Sequence, residues 1–194
     1  TDISYSLATL GTDGKTCMNI ITYATPVGIK PERIWTISIY KGTQTHHNFE
    51  LQKRGVLQLL RRSHSPLVHL LGGKSGRDFD KKGGCAKLGF SWIKQQQQQQ
   101  QQQQTSSQSS TAKEDEIMLL PNCKAYIKVS LQGDLIDAGV HSVALCRVEE
   151  MFVLDEEDNV LERCDVDDPI LNTKFLRDLG IISAAGTYFV DLSL

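Results

Sequence analysis

Apolar and polar residues alternate with a period near two through most of this chain, and helical spacing is confined to short pieces. ISYSLATL (3–10) and TCMNIITYAT (16–25) are rich in β-formers and flank GTDGK, whose Asp13-Gly14 pair predicts a tight turn. The chain therefore opens as a hairpin. RIWTISIYK (33–41) and GVLQLLR (55–61) predict two further strands. After a long polar interval, AYIKVSLQGDLI (125–136), HSVALCRVEEMFVL (141–154) and NVLERC (159–164) predict three more, with Asp158-Asn159 as a turn. Only SPLVHLL (65–71), CAKLGF (85–90) and LNTKFLRDLG (171–180) have helical spacing. Pro66 suits a first helical position after a Ser65 cap, and Gly72 suits the stop. Short strands with few helices predict an antiparallel barrel rather than a doubly wound α/β fold.

The polar interval is dominated by the unbroken run Gln95–Gln104, followed by TSSQSSTAKEDE. Such a composition buries too little apolar surface to offset its ordering entropy, so residues 95–116 are expected to be a disordered insertion. The expected organisation is one domain, 1–194, interrupted by that insertion. A chain of 194 residues that is 40% hydrophobic is long enough for a core of this kind.

Charge changes the picture in one respect. The net charge of −2 conceals an excess of basic residues in the first half and of acidic residues in the second. The bland explanation is two solvated faces; the sharper one is an anion site in the first half. The basic residues are dispersed and not interleaved with aromatics, which argues against nucleic acid. Five cysteines at wide spacing, with no Cys-x-x-Cys, argue against a disulfide framework or zinc knuckle and for a reducing, intracellular compartment. No apolar run is long enough for a membrane span. The chain starts at Thr1 without methionine, so a removed leader is conceivable and the address could be cytoplasmic or chloroplast.

Two stretches imitate phosphate loops. Gly72-Gly73-Lys74-Ser75 ends like a Walker motif, but Val68 stands where its first glycine belongs, and the approach reads as helix. Gly14-Lys15-Thr16 fails similarly, with Thr9 at the glycine position. No Gly-x-Gly-x-x-Gly follows a strand, and no Gly-x-Ser-x-Gly elbow exists to activate Ser142. The acidic run 155–168 lacks the glycine and terminal glutamate of an EF-hand. Read as an extended segment, His46-His47 would point to opposite sides and make a poor metal pair, so no metal site is expected.

Four segments, in order, carry a resemblance. They are Met18-Asn19-Ile20-Ile21-Thr22-Tyr23-Ala24-Thr25, then Pro31–Ile39 running into Lys41-Gly42-Thr43-Gln44-Thr45-His46-His47-Asn48-Phe49, then Ser75-Gly76-Arg77-Asp78-Phe79-Asp80-Lys81, and finally Asp137-Ala138-Gly139-Val140-His141-Ser142 ending in Val148-Glu149. Together the chain resembles the flavin-reductase-like FMN-binding split barrels, the group that includes flavoredoxins. The resemblance implies a mainly β fold: a six-stranded antiparallel Greek-key split barrel with a few short helices, usually a homodimer with FMN near the subunit interface. It implies an oxidoreductase passing hydride from NAD(P)H through FMN to a flavin, a metal chelate or a protein.

Transferred by position, Asn19, Thr22 and Thr25 would lie along the isoalloxazine ring. Lys41, Thr43, Thr45 and His46 would sit on the phosphate side, and Ser75 and Lys81 would close over the cofactor. His141 would approach the flavin end, and Phe175 would cap it from the C-terminal side or serve as core packing. The flavin is the redox centre, so no catalytic side chain is assigned; Lys81 and His141 are candidates for tuning it. The chain departs from the pattern in three places. The segment KKGGCAKLGFSW (81–92) carries extra residues. Thr25 stands where some members have an aromatic residue, and Gly139-Val140-His141 loosens the usual Gly-Asp-His. The alternative is a non-catalytic flavin- or heme-binding module.

Overall fold

A computed structural model describes residues 2–94, 116–154 and 168–183. The glutamine run, the 159–164 strand expectation and nearly all of the acidic run lie outside the described residues. The described elements, in order, are β1 (Tyr5–Leu10), β2 (Thr16–Ile21), β3 (Ala24–Gly28), β4 (Ile34–Tyr40), α1 (Gln44–Gln52), β5 (Arg54–Leu59), α2 (Leu67–Gly73), α3 (Lys81–Lys87), β6 (Ala125–Leu131), β7 (Ile136–Ala138), β8 (His141–Phe152) and α4 (Thr173–Asp178). A single 3-10 turn over Arg62–His64 precedes α2.

All pairings are antiparallel, and the strands form one sheet in the order β2-β1-β5-β6-β8-β4-β3, with β7 added on β8. The expected six strands become eight. Six long strands make the curled sheet of a split barrel, while five-residue β3 and three-residue β7 flank it. TCMNIITYAT is two strands rather than one, because the chain breaks at Thr22-Tyr23 and β3 leaves β2 to pair with β4.

Period-two alternation fills the barrel. Tyr5, Leu7, Ile21, Ile37, Ile39, Leu57, Ile127, Val129 and Cys146 face inward, and Phe49 from α1 joins them, fully buried. The opposite face of β1, β2 and β5 is covered as well. Ala8, Met18 and Val56 pack there against Leu67, Val68 and Leu71 of α2, Cys85 of α3, Leu176 of α4 and the 119–123 segment. β1 is consequently buried along its whole length, on both faces. Two polar side chains on the covered face are held on both sides: Gln58 accepts from the Leu120 amide at 2.6 Å and donates to Met18 Sδ at 3.5 Å. Tyr126 donates to the Leu120 carbonyl at 2.6 Å and accepts from the Cys123 amide at 3.2 Å.

The largest departure from expectation is α1. The KGTQTHH stretch is not an extended loop but the entry to a nine-residue helix. Thr43 is its cap: its backbone is extended, and its hydroxyl oxygen accepts from the His46 amide at 3.1 Å. The buried stripe is Thr45, Asn48 and Phe49, at helical spacing but two-thirds polar, so no apolar periodicity announces it.

Candidate functional site

Between the β1–β2 turn, the first half of α1 and the segment 76–82 lies a cleft of about 860 Å³. Three stretches that are distant in sequence build it. Gly11–Cys17 forms one wall, Gln44, His47 and Asn48 form the floor, and Gly76–Lys82 forms a flap. Trp92 and Met118, from either side of the glutamine run, close the end.

The flap is pinned to the barrel at two points. At Gly76 the backbone passes so close to β2 that a Cβ would stand 2.5 Å from Cys17 Sγ and 3.5 Å from Gln44 Cβ; glycine permits the approach. At Lys81 the ammonium group donates to the Met18 carbonyl at 2.8 Å and the Leu71 carbonyl at 2.6 Å. Lys81 is 6% exposed, and burial holds its amine below the ordinary lysine range. Asp80 caps α3 by accepting from the Gly83 amide at 3.0 Å. Between the pins, Arg77, Asp78, Phe79 and Asp80 form an exposed rim. Among the described residues neither Arg77 nor Lys82 makes an ion pair.

α1 separates this cleft from a second cluster at the ends of β4 and β8. Its His46 turns away from the cleft, and His46 Nε2 lies 2.9 Å from the hydroxyl of buried Ser142. Burial, the largest influence on His46, lowers its affinity for a proton, so the ring is biased to its neutral form. Beside it, His141 makes edge contacts with Tyr40 and Tyr23, at centroid distances of 5.3 and 6.3 Å. Lys41 is drawn to Asp137 on β7 and forms an ion pair with it, which lowers the Asp137 carboxyl below its usual range.

The expected site residues thus divide. Thr43, Thr45 and His46 lie together on the first turn of α1, with Thr45 buried and donating to Cys17 Sγ at 3.6 Å. Ser75 is exposed, and its hydroxyl accepts from the Arg77 amide at 3.2 Å. Asn19 is buried in β2, and its side-chain carbonyl accepts from the Ile20 amide at 2.9 Å. Thr22 is half-buried and Thr25 exposed, beyond the end of β2. Lys41 is committed to Asp137. Phe175 stands apart: it packs against the covered-face core, and the Arg62 guanidinium lies 4.5 Å from its ring centroid. Sequence reasoning missed the wall Gly11–Thr16, where the signal was the Gly14-Lys15-Thr16 tripeptide; Gln44, His47 and Asn48 lay within the 41–49 segment singled out by resemblance but were not named as site residues.

Elsewhere a buried histidine meets a cysteine without making a nucleophile. His64 Nδ1 accepts from the Arg61 amide at 3.1 Å and Nε2 donates to the Pro121 carbonyl at 2.9 Å. Both ring nitrogens are engaged by backbone groups, so His64 is not placed to take a proton from Cys123, 3.9 Å from Nε2. Among the described residues no three His, Cys, Asp or Glu side chains are grouped to hold a metal ion, and no helix is long and apolar enough to cross a membrane.

No curated protein sequence matches the chain, whereas solved structures do. Flavoredoxin of Desulfovibrio vulgaris (Miyazaki F) is 13% identical, with 97% of this chain and 76% of that one covered at a TM-score of 0.59. An FMN-binding protein from Thermus thermophilus, with 1-cyclohex-2-enone bound, is 18% identical over 81% and 75% of the two chains, at a TM-score of 0.56. An NADH:FAD oxidoreductase from Streptomyces globisporus is 12% identical over 78% and 75%, at a TM-score of 0.57. These likenesses establish a common fold. The model of the flavin reductase like domain matches residues 4–165, most of the chain, and the protein belongs to that family.

Proposed function

We propose that the protein holds FMN with its phosphate against the first turn of α1 and the flap, and its ring along Thr22, Thr25 and His141. We propose further that it is an oxidoreductase passing electrons from NADH or NADPH to a flavin, metal-chelate or protein acceptor. The reading rests on one convergence above all: the 41–49 and 75–81 segments, both singled out by family resemblance, meet at Gly76 and Gln44.

The donor chemistry fits the group. The leading amides of α1 have no earlier carbonyl within the helix to reach, and a helix N-terminus favours a phosphate dianion. Arg77 on the rim and Lys82 just past it are exposed cations that make no ion pair among the described residues. When bound, the flavin supplies hydride acceptance and electron release, while the chain supplies position and electrostatics. Lys81 acts from behind the flap, holding its backbone against β2 through two carbonyls. His46, biased neutral, fixes α1 to β8 through Ser142. Tyr23, Tyr40 and Val140, exposed by 62, 53 and 65%, surround His141 and make an apolar border. A second copy of the chain covering that border would complete the ring's surroundings, in line with the homodimer that the family resemblance implies.

The test is an absorbance titration with FMN, followed by anaerobic addition of NADH or NADPH. Uptake of FMN and bleaching of its bands support the whole reading. Uptake without bleaching reduces the protein to a carrier fed by another donor, and failure to take up FMN removes the cofactor assignment.

A further inference from the structure

Beneath the flap, buried side chains converge on one sulfur. Cys17 Sγ accepts from the Thr45 hydroxyl at 3.6 Å. The point where a Gly76 Cβ would stand is 2.5 Å from Sγ and 3.8 Å from Lys81 Cε. Thr45, Lys81 and Cys17 are 1, 6 and 8% exposed. A lysine this deep is ordinarily paired with a carboxylate, yet among the described residues Lys81 makes no ion pair. The Met18 and Leu71 carbonyls occupy two of its three N–H groups. The titratable groups that favour its charge are the thiols of Cys17 and Cys85. Cys85 is fully buried, and burial pushes its thiol up to about 11. Of the two, only Cys17 lines the cleft. A thiol reachable from solvent beside an ammonium group, a hydroxyl donor and the first turn of a helix is in the setting where cysteines react as nucleophiles.

We propose that Cys17 is an oxidation site for hydrogen peroxide and that its oxidation releases the flap. Sγ attacks one peroxide oxygen; the S–O bond forms, the O–O bond breaks, and the second oxygen leaves with the thiol proton as water. The sulfur gives up two electrons and becomes a sulfenic acid, which external thiols reduce again. Sγ lies so close to Gly76 that not even a methyl group fits between them, so the added oxygen displaces the flap. The flap can move as a unit, because among the described residues the hydrogen bonds of residues 75–80 close within 75–84. A reduced flavin that meets dioxygen releases hydrogen peroxide, so the site lowers cofactor occupancy when the proper acceptor runs short. The peroxide source and the cofactor's release rest on the FMN reading; the oxidation and the flap movement do not.

The test treats the full chain with hydrogen peroxide and dimedone, which traps sulfenic acids, and locates the adduct by peptide mass. Labelling is expected at Cys17 ahead of the other four cysteines. Thr45→Val should slow it by about threefold, part of the worth of one hydrogen bond. Absent labelling, or labelling confined to other cysteines, overturns the proposal. With peroxide alone, FMN affinity should fall by about tenfold, as for overpacking of the same contact, and return with dithiothreitol. In Cys17→Ala, peroxide should leave the variant's own FMN affinity where it was. Amide hydrogen exchange over residues 75–82 reads the flap without the cofactor, and should quicken on oxidation of the wild type but not of Cys17→Ala. Oxidised Cys17 with unchanged exchange over 75–82 overturns the release of the flap. Faster exchange in a protein that refuses FMN upholds the release and removes the FMN reading alone.

Discussion

Gly76→Ala tests the closeness of the flap to the barrel. The added Cβ would stand 2.5 Å from Cys17 Sγ, against the roughly 3.5–4.0 Å of an ordinary nonbonded contact. Cys17 is buried in a paired strand, so the flap is the side that gives, by on the order of 1 Å. Overpacking of this size costs about 1–3 kcal/mol. Since the rim is exposed and Lys81 still anchors its far end, most of that cost should appear as displacement of the flap rather than unfolding. FMN affinity, followed by flavin fluorescence, is expected to fall about tenfold, equivalent to about 1.4 kcal/mol. The thermal midpoint should fall by less than about 4 °C, the shift that about 1 kcal/mol produces in a chain of this size. Adding Cys17→Ala removes the sulfur and should recover most of the affinity, a coupling that a double-mutant cycle reads directly. Unchanged FMN binding in Gly76→Ala would refute the flap's role, and a double variant no better than the single would refute the steric cause.

Tyr126→Phe, which removes a buried hydroxyl serving the Leu120 carbonyl and the Cys123 amide, should lower unfolding free energy by about 1–3 kcal/mol in urea. Phe49→Ala empties a fully buried barrel position; it should cost about 3–5 kcal/mol and weaken FMN through loss of the α1 anchor. Burial pushes the Cys85 thiol up to about 11 and the Cys146 thiol to about 12, from 9.0. Above pH 9 the unfolded chain releases these protons first, so stability is full below pH 9 and declines by about 1.4 kcal/mol per thiol per pH unit toward those values. Urea midpoints between pH 8 and 10.5 check this, and a Cys85→Ala/Cys146→Ala variant should show a flatter profile.

Strands were legible where one face is wet and the other dry, as in β4 and β8, and the turn at Asp13-Gly14 was legible from its residues alone. The break after Ile21 was not, because Thr22-Tyr23-Ala24-Thr25 continues the β-forming composition while the chain changes pairing partner from β1 to β4. α1 was hidden because its buried stripe rests on Thr45 and Asn48, residues that usually mark a surface. The flap's importance was visible in Ser75–Lys81, but the role of Lys81 was not: nothing in a sequence tells a lysine facing a ligand from one bolted to two backbone carbonyls. The Gly11–Thr16 wall was set aside for failing a motif, although its place in the cleft comes from tertiary packing that no motif encodes.

The register of the barrel also sets an order of events during synthesis. β1, β2 and β5 fall within the first sixty residues and can pair early, but β4 is joined to β8, about 100 residues further along the chain. At a ribosomal pace of roughly 5–20 residues per second, the β4 edge that awaits β8 stays uncovered for about 5–20 s, while the glutamine run emerges in the interval. A nascent chain stalled in that window presents an unpaired strand edge beside a homopolymer. Chaperone dependence of this protein should therefore depend on the time between β4 and β8, more than on the stability of the finished barrel.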